Sequence, residues 1–201
     1  MARPRKITTE QILKAAQAIF LEKGFGASTK EIASEAGIAE GSIFKRFPTK
    51  EELFIAAMGM SQVSSFVSFV ETMSGQDSLP ENLEKIGLEM IRLLQELLPK
   101  MMMLKSKGLP VPAMMLKHGA APPVRILTTL THFFEKEISL ERMCHRDPQI
   151  VAMIFTGSLI EYVFLTQLSA PLPDAEDYVK SMVEVFWISI QPSSVSPEPL
   201  K

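Results

Sequence analysis

An all-α fold is predicted by three features of the sequence. Capping signals built on Ser or Thr recur ahead of apolar runs, those runs keep the three-and-four spacing of a helix face, and Gly or Pro follows most of them. No segment alternates apolar and polar residues for long enough to form a strand. The 201 residues carry a net charge of −2, distributed unevenly. Residues 1–50 hold nine Lys and Arg against five Glu (+4), and residues 51–201 hold twelve against eighteen acids (−6). Contact with a polyanion is therefore expected at the N-terminal end.

Thr8 and Gln11 form a capping box that opens the first helix; Ile12, Ala15, Ala16, Ile19 and Phe20 give it an apolar face, and Gly24 closes it. Ser28 and Glu31 open a second helix near Thr29, with Ile32, Ala33 and Ala36 inward and Gly37 as the stop. After Ile38, residues Gly41 to Phe47 continue as a short third helix with Ile43 and Phe47 inward, ended by Pro48. Two short helices meeting at a glycine, the second with a basic and aromatic end, outline a helix-turn-helix, although a small hairpin with a solvated charged face would show the same pattern. Subtracting the core positions leaves Ala39, Glu40, Gly41, Phe44, Lys45 and Arg46 outward. In a major groove Lys45 and Arg46 would meet phosphates or guanine edges, with Lys30 and Lys50 as flanking backbone clamps. Glu40 would either accept from a cytosine amino group or face solvent. Arg3, Arg5 and Lys6 form a basic arm that would either follow the DNA or remain a solvated tail.

Gly24, Phe25, Thr29, Ile32, Ala33, Ala36, Gly37, Ile38, Gly41, Ile43, Phe44, Phe47, Lys50 and Leu53 stand in one register. Through them, residues from about Thr8 to Leu53 resemble the DNA-binding domain of the tetracycline-repressor (TetR) family. The resemblance implies that Thr29, Ala39, Glu40, Gly41, Phe44, Lys45, Arg46 and Lys50 touch double-stranded DNA. Three positions depart from the family pattern. Phe44 replaces the usual tyrosine and lacks a hydroxyl for phosphate, Ala39 replaces a serine cap at a cost of about 1 kcal/mol, and Glu40 brings negative charge toward the backbone.

Thr49 and Glu52 form a third capping box, opening a connecting helix expected to run to about Met73, where Ser74 and Gly75 break it. Further helices are expected over Glu81–Leu98, from Pro122 to about Ile138, over Pro148–Ser169 and over Asp174–Ile190, about nine helices in all, with Pro99, Gly108, Pro110 and Pro112 interrupting the middle. The expected domains are 1–50 for DNA binding, extending to about 66 with the connecting helix, then 51–191 for ligand binding and dimerisation, and a Pro/Ser-rich tail at 192–201. The run Ile150–Leu168 is long enough for a membrane span, but Glu161 and several hydroxyls argue instead for a soluble helix buried on two sides. With the last helix it would form a four-helix interface between two subunits, using Gly157, Ser158, Glu161, Leu165, Met182, Phe186 and Trp187.

Met90, Met101, Met102, Met103, Met114 and Met115 are six of thirteen methionines. They would either fill an irregular core or, with Phe133, Phe155 and Tyr162, line a pocket for a small apolar or amphipathic effector. His118, His132 or Arg125 could meet a polar group on that ligand. Cys144 is the sole cysteine, so an intrachain disulfide and a thiolate zinc cluster are excluded. Cys144, His145 and Asp147 read as a helix-end loop, no phosphate-binding glycine loop occurs, and neither an enzyme nor a cofactor is expected. A cytoplasmic, homodimeric transcription regulator of a palindromic operator, most simply a repressor, is the function these features imply. An architectural or nucleoid-type DNA binder is the alternative.

Overall fold

The computed structural model describes residues 8–106 and 121–192, and within them the backbone is helical throughout, with no strand. The described residues form nine α-helices: α1 (Thr9–Lys23), α2 (Thr29–Glu35), α3 (Glu40–Phe44), α4 (Lys50–Ala57), α5 (Met60–Met73), α6 (Leu79–Ser106), α7 (Pro122–Ser139), α8 (Pro148–Gln167) and α9 (Ala175–Ile190), with a 3₁₀ turn at Gly24–Gly26. They divide into two compact units, one within Met1–Ser61 and Glu96–Ala121, the other within Gln62–Gln95 and Pro122–Lys201. The basic arm at Arg3, Arg5 and Lys6, the pocket candidates Met114 and Met115, His118 and the tail beyond Pro192 lie outside the described residues.

The first unit is assembled by its local signals. Of the three expected capping boxes two form in full, Thr8 with Gln11 and Ser28 with Glu31, while at the third the Thr49 hydroxyl accepts the Glu52 N–H and only that half of the box is made. Apolar faces of α1, α2 and α4 converge on a core of Ile12, Phe20, Ile32, Ile43, Leu53 and Phe54, in which the Phe20, Phe25 and Phe54 rings meet at 4.9–6.4 Å. Gly37 turns the chain between α2 and α3 at φ 67°, in the left-handed region where a side chain is strained. α3 is shorter than expected. The amides of Arg46 and Phe47 both turn back onto the Ile43 carbonyl, because Pro48 disfavours helical backbone at the residue before it.

Two boundaries differ from the sequence reading. The connecting helix is two helices, α4 and α5, separated at Gly59, whose φ of 95° cannot continue a helix. Conversely Pro99 does not end α6, which runs on to Ser106. A proline removes its own amide and crowds only the carbonyl four residues earlier, here Gln95, so the disruption stays local; Gln95 is also where α6 passes from the second unit into the first.

In the second unit α7 packs along α8. The rings of Phe134, Phe155 and Phe186 form its centre, with centroids 5.5–6.3 Å apart. Glu137, 0% exposed, receives Gly75 N–H on one carboxylate oxygen and Arg142 Nε on the other. Arg142 also donates to the carbonyls of Gln76 and Asp77, and Asn82 donates to those of Met73 and Gln76, so one ionic cluster closes the α5–α6 turn. Tyr162 and Tyr178 stack at 4.2 Å and donate to the carbonyls of Pro173 and Ser158, tying α8 to α9. Asp147 caps α8 through the amides of Gln149 and Ile150, and the Cys144 thiol lies near the Ser189 carbonyl, so both side chains serve helix ends.

α8 alone among the described helices is long and apolar enough to cross a membrane by length and composition. Its burial is one-sided rather than two-sided: Val151, Ala152, Phe155, Leu159 and Val163 pack inward while Ile150, Met153, Ile154, Phe164 and Leu168 remain exposed.

Removing Arg142 leaves the Glu137 carboxylate buried without its cation. Arg142→Ala is expected to lower unfolding stability by about 3–5 kcal/mol in urea titration, and an effect below ~1 kcal/mol would show that the pair contributes like an exposed one. A Cβ on Gly87 would stand 2.9 Å from Val179 Cγ1. Gly87→Ala should therefore cost about 1–3 kcal/mol, with part of the loss recovered by Val179→Ala in the same chain.

Candidate nucleic-acid interface

The candidate surface is the outward side of α3 and its flanks. Ile43 is the buried residue of α3 and fixes which side of the helix turns inward. At about 100° per residue, Gly41 and Lys45 then lie farthest from the core, with Phe44 on one flank; Gly41, Phe44, Lys45 and Arg46 are all exposed, Phe44 by 41%. A Cβ at Gly41 would meet no atom within 4 Å, so the open space above α3 is available to an incoming ligand. Lys30 and Lys45 make no ion pair among the described residues, which leaves both ammonium groups able to neutralise phosphate. Ala39 starts α3 without a side-chain cap, as its methyl group requires.

Three polar contacts hold this surface together. Lys23 at the end of α1 pairs with Glu31 of α2 at 2.6 Å. The Lys23 hydrogen bond, followed by the bonds from the Ser28 amide and hydroxyl, pulls the Glu31 carboxyl down to about 2. Lys50 Nζ sits 4.6 Å from the centre of the Phe25 ring, a cation–π contact that directs its ammonium. Thr29 Oγ1 donates to Glu40 Oε1, joining the start of α2 to the start of α3. This bond spans eleven residues and leaves no periodic trace in the sequence, which explains why Glu40 reads there only as a base reader or a solvated charge.

The other expected sites are brought together less completely. Met90, Phe133, Phe155 and Tyr162 are buried in the second unit, whereas Met101 and Met102 lie on the part of α6 that belongs to the first. Tyr162 is engaged by Tyr178 and the Pro173 carbonyl rather than facing a cavity. The second unit does contain a cleft of about 230 Å³ lined by Val70, Glu71, Ser74, Thr129, His132, Phe133 and Lys136, of which Phe133 alone belongs to the expected wall. On the expected interface Gly157 and Glu161 are exposed and Ser158, Leu165, Met182 and Trp187 partly so. Phe186 is corrected: at 7% exposed it packs on Phe134 and Phe155, inside its own subunit. On that helix Val185 and Ile188 are the exposed large apolar residues, by 72% and 71%. Among the described residues no His, Cys, Asp and Glu group could hold a metal ion.

Residues 12–57 match the family described as bacterial regulatory proteins, tetR family, and this stretch contains the whole α2–turn–α3 arrangement. Over these residues the chain is similar to the TetR family's DNA-binding domain. The chain is 34% identical over 85 residues to YerO, an uncharacterized HTH-type transcriptional regulator of Bacillus subtilis, covering 40% of this chain and 29% of YerO. The chain thus spans under a third of YerO and about half of other curated relatives that it matches. A TetR-family regulator of Mesorhizobium loti shares the fold with a TM-score of 0.70 at 23% identity, over 90% of this chain and 96% of that one. SmeT, the repressor of the Stenotrophomonas maltophilia multidrug efflux pump SmeDEF, seen in a complex with triclosan, shares it at 0.68 and 20% identity over 96% and 98%. At these identities the likeness establishes a common fold.

Glu31 ties the interface to pH. Its carboxyl is depressed in the folded chain, so its stabilising contribution is complete above the ordinary value of 4.5 and is lost as pH falls from there toward about 2. A plot of melting temperature against pH should descend through that window, and Glu31→Gln should flatten the descent; an unchanged slope would contradict the Lys23–Glu31 link.

Proposed function

We propose that this protein is a cytoplasmic, homodimeric transcription factor, most simply a repressor, that binds a palindromic operator and leaves it when a small apolar or amphipathic molecule occupies the second unit. The observation that carries the reading is α3: a short helix anchored by Ile43 that turns Gly41, Phe44 and Lys45 outward, within a TetR-type stretch. Lys30, Arg46 and Lys50 flank it with positive charge, as phosphate contacts require.

Dimerisation is supported by a side of the second unit that no described part of the chain covers. Ile150, Ile154, Gly157, Glu161, Phe164 and Leu168 recur at spacings of three and four along α8, and Val185 and Ile188 follow the same spacing on α9. Two such helices from each subunit would bury both stripes in a four-helix contact. A symmetric dimer would present its two α3 helices to major-groove faces about 34–36 Å apart or a multiple of that. An effector is supported by the cleft between α5 and α7, where Val70 and Phe133 lie beside His132 and Lys136, and by the triclosan complex of SmeT. An effector favouring one conformer would shift the population away from the DNA-binding one.

Fluorescence anisotropy with DNA from upstream of the protein's own gene, against a scrambled duplex at two salt concentrations, tests the reading. A preference that survives the higher salt is expected, whereas equal and salt-sensitive binding would indicate an architectural protein. Lys45→Ala should weaken binding and reduce the salt slope by about one. The double variant Val185→Glu, Ile188→Glu should elute as a monomer in size-exclusion chromatography with light scattering; an intact dimer would move the interface elsewhere.

A further inference from the structure

We propose that Glu40 is a positioning residue of the DNA-reading surface: by accepting the Thr29 hydroxyl it fixes the rotation and reach of α3, and it does not read a base itself. The inference rests on the reading of α3 as the recognition helix and assigns a mechanism to one of its residues.

Five residues cannot hold a helix in water, since nucleation of the first turn is unfavourable and only a few hydrogen bonds follow it. α3 therefore takes its orientation from its attachments. Ile43, fully buried, is one of them. Ile38 and Phe47, just outside the ends of α3, pack on the same core, but these apolar contacts are not directional and Ala39 supplies no side-chain cap. Glu40 stands about 60° around the helix from Ile43, on the flank nearest Phe44, and its carboxylate receives the Thr29 hydroxyl from α2. Two anchors three residues apart define a rotation; with both in place Gly41 and Lys45 point away from the core. A hydrogen bond to a charged acceptor is also stronger than a neutral one, which suits a group acting as a strut.

The donor count leads to the same assignment. A threonine hydroxyl has one proton to donate, and in this structure Thr29 gives it to Glu40. While that bond stands, the hydroxyl has no proton for a phosphate oxygen, so the DNA contact implied for Thr29 by family resemblance is replaced by an internal one. Glu40 in turn is partly buried, and its negative charge is directed at α2 instead of the DNA backbone.

The test uses the full chain and a random-sequence duplex library, from which the wild type selects its preferred sequence. Thr29→Val and Glu40→Ala should each bind that duplex roughly ten-fold more weakly and should relax preference at the same base positions. The double variant should be no weaker than either single one. Glu40→Gln, whose amide oxygen still accepts from Thr29, should keep the wild-type preference. In the free protein, amide hydrogen exchange over residues 42–45 should quicken in Thr29→Val and Glu40→Ala and stay unchanged in Glu40→Gln. A change of preferred base in Glu40→Gln at a position that Thr29→Val leaves alone would make Glu40 a direct reader and overturn the proposal. So would a uniform loss of affinity in Thr29→Val with a smaller salt slope and unaltered exchange, since that marks a phosphate contact. If the wild type selects no sequence at all, the reading of the chain as a specific DNA binder fails, and the exchange data alone then decide whether the strut exists.

Discussion

The burial of Ile43 is the constraint on which the proposed DNA-facing surface depends. α3 is too short to be a stable helix, so its position comes from the core it is pinned to and from the neighbours that limit its rotation. That core is made by α1, α2 and α4, and its aromatic cluster of Phe20, Phe25 and Phe54 serves two purposes. It supplies the apolar surface that a small unit needs, and through Phe25 it holds the Lys50 ammonium in place. Lys23 with Glu31 and Thr29 with Glu40 then connect α1 to α2 and α2 to α3 in succession. Each contact is modest alone, but together they turn three short helices into a single platform.

The second unit follows a different logic. Its centre is an aromatic stack, and its polar groups are gathered at one end, where the buried Glu137, Arg142 and Asn82 close the turn between α5 and α6. That turn includes Asp77 and Gly75 at positive φ, a backbone path held by side-chain bonds to its carbonyls and amide. The cleft adjoins the same end: Ser74 and Lys136 line it, and Lys136 donates toward the Ser74 carbonyl. A molecule entering there would touch the side chains that hold α5 against α7, which is a physical route from occupancy to helix movement.

Much of the fold could be read from the sequence because its signals are local. A capping box joins residues three apart, so Thr8 with Gln11 and Ser28 with Glu31 predict helix starts without knowledge of the tertiary structure. Gly59 was hidden because one glycine within an apolar run is compatible with a continuous helix, and only its φ reveals the break. Pro99 misleads in the opposite direction, since the damage it does is confined to one turn. For the candidate site, Ile43 inward and Phe44 and Lys45 outward follow from helical spacing. The Thr29–Glu40 bond does not, because it links two helices across a turn. The inward side of α9 was also illegible: the helix is apolar around most of its circumference, and contact with Phe134 and Phe155 is what selects Phe186 over Val185 and Ile188.

In the proposed function the outward edge of α3 meets bases in a DNA groove. Replacing Phe44 with the photoreactive analogue benzoylphenylalanine and irradiating the variant on the wild type's selected duplex tests this most directly. A cross-link to bases of the selected sequence, and none to a scrambled duplex, is expected. A variant that binds the duplex with wild-type affinity yet forms no cross-link would place the DNA on another surface and contradict the proposed function.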